Sequence, residues 1–428
     1  MVASTDIKFY VHTNTNAPQL QNSYGCMIDV LDACLVNGFG SQTISTLTAS
    51  GTMVTATFGS AHNFMQYQVI KITGSNQAEF KGEHRILTVP NANSITFQLA
   101  TVPSVTTATG TISCSLPNLG WEKPFSATGK AAYRSGDSLL PQRPYLRVID
   151  ALDPLYNSAY SKYAKVGIVE NMTDIDTLIG VQAPFDLSSP NKNWLASGSD
   201  ASVINGWAKW YYSYCSTSAP FADLFTYSTS PAYSDILGQA NGNRPWVLIG
   251  TSDYFYILPS TSPTSLRNIF GFGKFNTYFD GDVFNWFLCA SVFYNSANTL
   301  TSTAARGQTI ALQGAYNNNL LIQRNIAGSA NYETGQLTAN KLTMTGQSDV
   351  TANYSTLGYS VATTPCIWTE NIFRGEMPLL KWVYQAVPRT SMSLFLEGTE
   401  IYLPITIGCS INVANRYTGQ IFVKVGDL

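Results

Sequence analysis

The sequence is short of charge. Asp, Glu, Lys and Arg together make up 12 % of its 428 residues, about half the share usual in a soluble globular chain. The two signs nearly cancel, 24 basic against 26 acidic, for a net charge of −2. A basic nucleic-acid binder, which needs a strong positive footprint, is excluded as an expectation. So are a long coiled coil, built on Glu, Lys and Arg, and a disordered chain, built on high net charge. Long apolar runs are also missing. The longest, Val283 to Tyr294, is broken by Asn285 and Ser291 and falls short of the ~18 residues of a membrane helix. Met1 to Tyr10 lacks a basic start followed by an apolar core, so no secretory signal and no membrane insertion are expected. The seven Cys are odd in number, scattered and without a CxxC pair. They read as buried free thiols of a reducing cytoplasm rather than as metal ligands. There is no GxSxG elbow, P-loop, GxGxxG or HExxH.

What the chain has instead is rings and amides. Aromatics reach 12 %, led by 24 Tyr and 21 Phe. With so few charges, Ser, Thr, Asn, Gln and Gly must cover the surface, a composition that suits β-rich assembly proteins. Length alone suggests two or three domains of ~150 residues. Met27, Ile28, Leu31 and Leu35 fall on one face of a short helix, with Asn22 or Ser23 as the expected cap and Gly38 as the stop. Asp29 and Asp32 lie off that face. From Gln42 to Ser115 the text turns rich in Thr, Ser, Ala and Val. Short two-periodic stretches such as Met53–Phe58, Tyr67–Ile72, Glu83–Val89, Ser94–Leu99 and Gly110–Ser115 predict five or six strands in a small sandwich or barrel. In the rest of the chain, Tyr145–Ile149 and Lys165–Glu170 read as half-buried strands. Trp246–Ile257 reads as a hairpin turning at Thr251-Ser252-Asp253. The run Trp207, Trp210, Tyr211, Tyr212 and Tyr214 fits helix or strand equally. After about residue 300, stretches such as Ala315-Tyr316-Asn317-Asn318-Asn319 predict long irregular loops.

Two pieces of the text carry a resemblance. "MIDVLDACLVNGFG" at 27–40, and "GWEKPFSATGKAAYRS" at 120–135 running on into "YLRVIDAL" at 145–152, resemble a family of tailed-bacteriophage virion structural proteins. The family strand ends in two acids, where this chain has Ile149-Asp150. The stretch between the two pieces resembles small β-modules of phage structural proteins. It reads "VTATFGSAHNF", then "VIKITGSNQAEFKGEHRILTVPNANSITFQLA", then "ATGTIS". On this resemblance, Ser41 to Leu116 is an insertion into the body. "KVGIVENM" at 165–172 and "RPWVLIGTSDYFYI" at 244–257 continue the body's pattern, and Phe270–Phe275 and Glu400–Ile405 match it more weakly.

Candidate chemistry is sparse. His62 and His84 fall in the inserted module and would need a third ligand to hold a metal; turn and surface roles are expected. His12 sits in a polar N-terminal stretch. Asp174 with Asp176, or Asp280 with Asp282, could form a paired-carboxylate site of a glycosidase, or an Asp-x-Asp calcium turn. "YFDGDVFNW", flanked by Tyr278 and Trp286 as possible stacking rings, is the better sugar-site candidate. Capped turns are the ordinary role of such acids.

The expectation is therefore a mainly β chain, sandwich- or barrel-like and multi-domain, with a short N-terminal helix and an inserted small all-β domain. The expected division is a 1–41 N-terminal segment, a 42–115 inserted module, a 116–290 main body and a 291–428 loop-rich remainder. The resemblance implies a structural component of the virion, in tail, baseplate or neck. Its expected partners are copies of itself and other virion proteins, with host-surface glycan as the alternative partner of an adhesin. The chain would be made in the bacterial host cytoplasm. No enzyme activity, catalytic residue, cofactor, metal or nucleic-acid partner is expected; a tail glycan hydrolase using Asp280 and Asp282 is the further alternative.

Overall fold

A computed structural model describes residues 2–196, 206–214, 239–292, 309–310, 320–329, 331–337, 362–383, 389–412 and 415–428. The described chain is mainly β: three open sheets and one closed barrel, with one short helix.

The barrel is built from Phe39–Ser50, Met53–Phe58, Ser94–Gln98, Gly82–Asn91, Val69–Ser75 and Gly110–Leu116, in that order around the ring. Alternation drives it. Val54, Ala56, Ile70, Ile72, Ile95, Phe97, Ile112 and Cys114 point inward and are buried, while the Thr and Ser between them face out. Burial of one face pins the register of each pair. The ring closes where Val69–Ser75 meets Gly110–Leu116. Gly74 and Gly110 both have positive φ, and a Cβ on either would run into the other strand's backbone, so the approach needs glycine. Phe39 pairs with Leu116 in register. The chain thus leaves the body and returns to it at one point.

The body holds two large sheets. One runs, in order, Lys8–Val11, Trp246–Gly250, Tyr254–Pro259, Phe270–Lys274, Trp286–Cys289, Leu320–Ile322, Glu333–Leu337, Cys366–Thr369, Ile372–Glu376 and Asn276–Thr277. The other runs Thr309–Ile310, Ser291–Val292, Ala208–Ser213, Lys162–Met172, Tyr145–Ile149, Lys130–Arg134 and Glu122–Ala127, with Leu178–Ala183 also on Lys162–Met172. An aromatic seam joins them. Trp121 packs on Phe255 and Phe272, and Trp210 on Phe255 and Phe270, with centroids 5.2–6.1 Å apart. The indole N–H of Trp210 donates to the Cys289 carbonyl at 3.0 Å. Buried ring pairs of this kind add specific geometry to large apolar burial. A five-stranded sheet of Ala362–Thr363, Leu380–Val383, Asn415–Asp427, Glu400–Asn412 and Phe395–Glu397 completes the described fold.

Several expectations change. Tyr145–Ile149 and most of Lys162–Met172 are buried on both faces rather than half-buried, because sheet lies on one side and covering loops on the other. The aromatic run is a strand, Ala208–Ser213, buried throughout. The helix is shorter than its apolar face suggests. Cys26–Leu31 is α-helical, and Asp32–Asn37 continues as a π-helix to Gly38 at φ 71°. Neither Asn22 nor Ser23 caps it; Gly25 occupies the cap position without a side-chain bond. The barrel's first strand, Phe39–Ser50, was not among the predicted stretches. The Asn-rich stretch 315–319 lies outside the described residues. The described part of the last third includes two thirteen-residue strands, Glu400–Asn412 and Asn415–Asp427.

Candidate functional site

The motif residues that carry the resemblance meet in space. Asp32, on the π-helix, accepts from Lys123 Nζ at 2.6 Å and from the Tyr133 hydroxyl at 2.7 Å. The backbone amides of Leu119 and Trp121 donate to the carbonyls of Cys34 and Leu35. The Trp121 indole donates to Thr251 O at 2.8 Å. "DVLDACLVNGF", "GWEKPFS" and the 251–253 turn form one joint at the foot of the barrel.

Asp150 caps the helix from a distant part of the chain. Its carboxylate accepts from the Met27 amide at 2.9 Å and from the Tyr212 hydroxyl at 2.5 Å. Burial pushes its pKa up to about 6, against the lowering effect of Tyr212 and the helix-end amides. The signal for it was the acid itself at the end of "YLRVID".

His62 and His84 are buried rather than on the surface, His62 in the loop that follows Met53–Phe58 and His84 in the strand Gly82–Asn91. His62 takes the Phe64 amide on Nδ1, sits 3.2 Å from Asn91 O through Nε2, and packs with Phe58 and Phe64. His84 stacks on Phe97 with centroids 4.5 Å apart. Burial lowers the pKa of both. Cys26, Cys34, Cys114 and Cys289 are buried free thiols, and Cys366 is half-buried. Among the described residues no group of three or more His, Cys, Asp or Glu is placed to hold a metal. No described helix is long and apolar enough to cross a membrane, which says nothing of strands.

The acid pairs are engaged in the fold. Asp174 Oδ1 accepts the amides of Asp176 and Thr177, a capped turn. Asp176 takes Lys130 at 2.7 Å and Arg147 at 2.6 Å, and the Lys130 bond leads in holding its carboxyl below the usual range. Asp282 is buried and chelated: Arg374 Nε and an Arg374 terminal nitrogen reach its two oxygens at 2.8 Å each, Thr277 Oγ1 donates at 3.0 Å, and the Phe284 amide donates at 3.2 Å. Each Asp282 oxygen thus accepts two donors, while Asp280, two residues away, is exposed. Arg374 also reaches Glu333 at 3.1 Å. Burial, and then the like charge of Glu370, push Glu333 up to about 7 in spite of Arg374. Trp286 is buried in its strand against Phe272.

What the 276–282 segment leaves open lies on either side of it. Asn276 lines a cleft of about 270 Å³ with Glu376, Lys381, Glu400, Tyr402 and Lys424. Thr277 and Phe279 to Asp282 line another of about 290 Å³ with Leu140, Gln142 and Lys274. In the first cleft the charges compensate. Lys424 Nζ lies 2.8 Å from Glu400 and 2.8 Å from Asp427, and Lys381 lies 3.3 Å from Glu397 and 4.0 Å from Glu400. The Tyr402 hydroxyl donates to Glu400 at 2.7 Å. The bond from Lys424, then that from Tyr402, hold the Glu400 carboxyl below its usual range. Leu379, beside Lys381 in the same wall, has φ 63°, a conformation a branched residue rarely adopts. Tyr278 and Phe279 stand 54 % and 37 % exposed, and the Tyr278 hydroxyl donates to Glu376 at 3.2 Å. Nothing in the local sequence marks Glu376, Lys381, Glu400 or Lys424, which distant strands bring together.

No protein-family model matches the chain, and no curated protein matches it. Among solved structures it is similar to the endosialidase of phage phi92, at 9 % identity and a TM-score of 0.16 over 91 % of this chain and 52 % of that one. The chain thus spans about half the length of that protein.

Proposed function

We propose that the chain is a structural component of a tailed-bacteriophage virion, in the tail, baseplate or neck, where it assembles in several copies with other virion proteins. The observation that carries this reading is the joint described above. The two pieces of sequence that resemble the virion family are separated by about eighty residues, yet they interlock around Asp32, with the inserted barrel leaving and returning through the Phe39–Leu116 pair. The surface supports it. Leu152 and Leu155 flank Asp153, whose carboxylate accepts the Ala196 amide beside the 62 % exposed Leu195, and Leu187 on the same loop is 86 % exposed. Solvated leucines gathered on one loop system suit a subunit contact, and a charge-poor surface suits a buried one. The reading assigns no catalysis to the chain.

Sedimentation of the wild-type chain tests it, together with mass spectrometry of purified particles from the source phage. We expect an oligomer in solution, dissociated by Leu187→Asp with Leu195→Asp at unchanged melting temperature, and the chain among the particle proteins. A monomer at every concentration, or particles without the chain, would sink the reading.

A further inference from the structure

We propose that the single cleft of about 290 Å³ beside the 279–283 turn holds one neutral sugar ring, with a ring hydroxyl donating to the buried side-chain oxygen of Asn285.

The cleft lies at the end of a strand pair. Lys274 and Trp286 stand opposite each other in the Phe270–Lys274 and Trp286–Cys289 strands, so both side chains leave the ladder on one face. The 279–283 turn and the loop Leu140-Pro141-Gln142 supply the remaining walls. Leu140, Pro141, Phe279, Val283 and Trp286 make much of that lining apolar, with a few polar groups set among them, the usual make-up of a small-ligand site.

Asn285 is one of the lining residues and is 1 % exposed. Its Nδ2 donates to Phe275 O at 2.6 Å. A carbonyl only accepts, so that bond fixes which end of the amide is nitrogen and which is oxygen. The oxygen, enclosed from bulk solvent, has no partner among the described residues. A buried acceptor left unmet is costly and uncommon in a folded protein. What satisfies it must bring an O–H or N–H.

Charge narrows the ligand further. Lys274, Asp280 and Gln142 also line the cleft, and among the described residues none of their side chains makes a hydrogen bond or ion pair. Asp282 is already neutralised by Arg374. An anionic ligand meets the Asp280 carboxylate and an oxygen that can only accept. A cationic ligand meets the Lys274 ammonium, which has no counter-ion in the fold. A neutral ligand rich in hydroxyls matches all four groups: it donates to Asn285 and Asp280 and accepts from Lys274 and Gln142. The space is below that of drug-sized pockets, roughly 300–1,000 Å³, and takes one ring rather than a chain.

The test uses the purified full-length protein and a panel of neutral hexoses, pentoses and N-acetylhexosamines, read by ligand-observed NMR with titration. Sedimentation reads assembly and this titration reads the cleft, so either reading can fail without the other. We expect saturable binding of at least one neutral monosaccharide, and weaker binding of its phosphorylated, uronic-acid and amino forms. Gln142→Ala with Asp280→Ala removes two side chains that bond to nothing in the fold. The pair should weaken binding about tenfold at unchanged melting temperature. Asn285→Leu keeps the bulk, removes the oxygen and should abolish saturable binding; the Gln142/Asp280 pair decides the matter even where that chain fails to fold. No saturable neutral monosaccharide, a preference for charged forms, or affinity that survives the paired substitution would each overturn the proposal.

Discussion

Asp150 shows what a single buried carboxyl can do to the pH dependence of the whole chain. It is wholly enclosed, and its pKa stands at about 6 rather than 3.8. A carboxyl with a higher pKa in the folded state than in the unfolded one binds its proton more tightly when folded. Its contribution is fully present below about pH 4 and is lost as pH rises through about 6, a difference of about 3 kcal/mol at one pKa unit per 1.4 kcal/mol. Glu333, pushed up to about 7, acts in the same direction over a slightly higher window. We expect Asp150→Asn to remove the first of these. The amide oxygen can still accept from Met27 or Tyr212, so near pH 4 the variant and the wild type should melt within a few degrees of each other. Between pH 4 and 7 the wild-type melting temperature should fall relative to the variant. Parallel melting curves across that range would show that Asp150 does not titrate there. The sequence offered the acid and its place at the end of a strand. It could not offer the cap, because the helix that Asp150 serves lies more than a hundred positions earlier.

Elements formed by local alternation were legible, and those fixed by distant partners were not. Met53–Phe58 appears as read because every second side chain is apolar, and the Trp246–Ile257 hairpin because two continuous apolar runs flank the turn residues Thr251-Ser252-Asp253. Phe39–Ser50 escaped because its apolar residues are sparse; the strand is held by neighbours on both sides more than by its own pattern. The turn at 278–282 was half legible: "YFDGD" marked the turn, but Arg374, which holds Asp282 there, comes from another strand. Arg85 is a similar case. It lies in the barrel strand Gly82–Asn91 and is buried, and its guanidinium donates to the carbonyls of Ser4 at 2.6 Å, Tyr67 at 2.7 Å, Ile7 at 2.9 Å and Val425 at 2.9 Å. One side chain thus ties the barrel to the entry and exit segments of the chain. A Cβ on Gly426 would fall on the guanidinium, which accounts for glycine there. Arg85→Met keeps the apolar stem and strands these carbonyls, so unfolding in urea should begin at least about 3 kcal/mol sooner. Amide exchange should rise first at the barrel and the N-terminal segment. A loss below about 1 kcal/mol would mean that water replaces the clamp at little cost.

At the scale of the molecule, scarcity of charge decides how association should respond to its surroundings. Contacts that rest on ion pairs weaken as salt shortens the screening length, whereas contacts that rest on apolar burial do not. The described ion pairs of this chain are largely spent within it: Asp32 with Lys123, Glu170 with Arg324, Asp282 with Arg374 and Glu400 with Lys424 each join segments of the same fold. Among the described residues, what remains outward includes leucine, amide and hydroxyl groups alongside exposed charges such as Lys71 and Lys81. If copies of the chain meet through that surface, their association should be nearly indifferent to sodium chloride between low and high salt, and strengthened by sulfate, which favours burial. It should also carry a negative heat-capacity change, the signature of apolar surface leaving water. Sedimentation equilibrium across a salt series, with calorimetric dilution at several temperatures, measures both quantities on one preparation. An association constant falling steeply with sodium chloride would assign the contact to the few free charges instead, and with it would go the argument from composition to assembly.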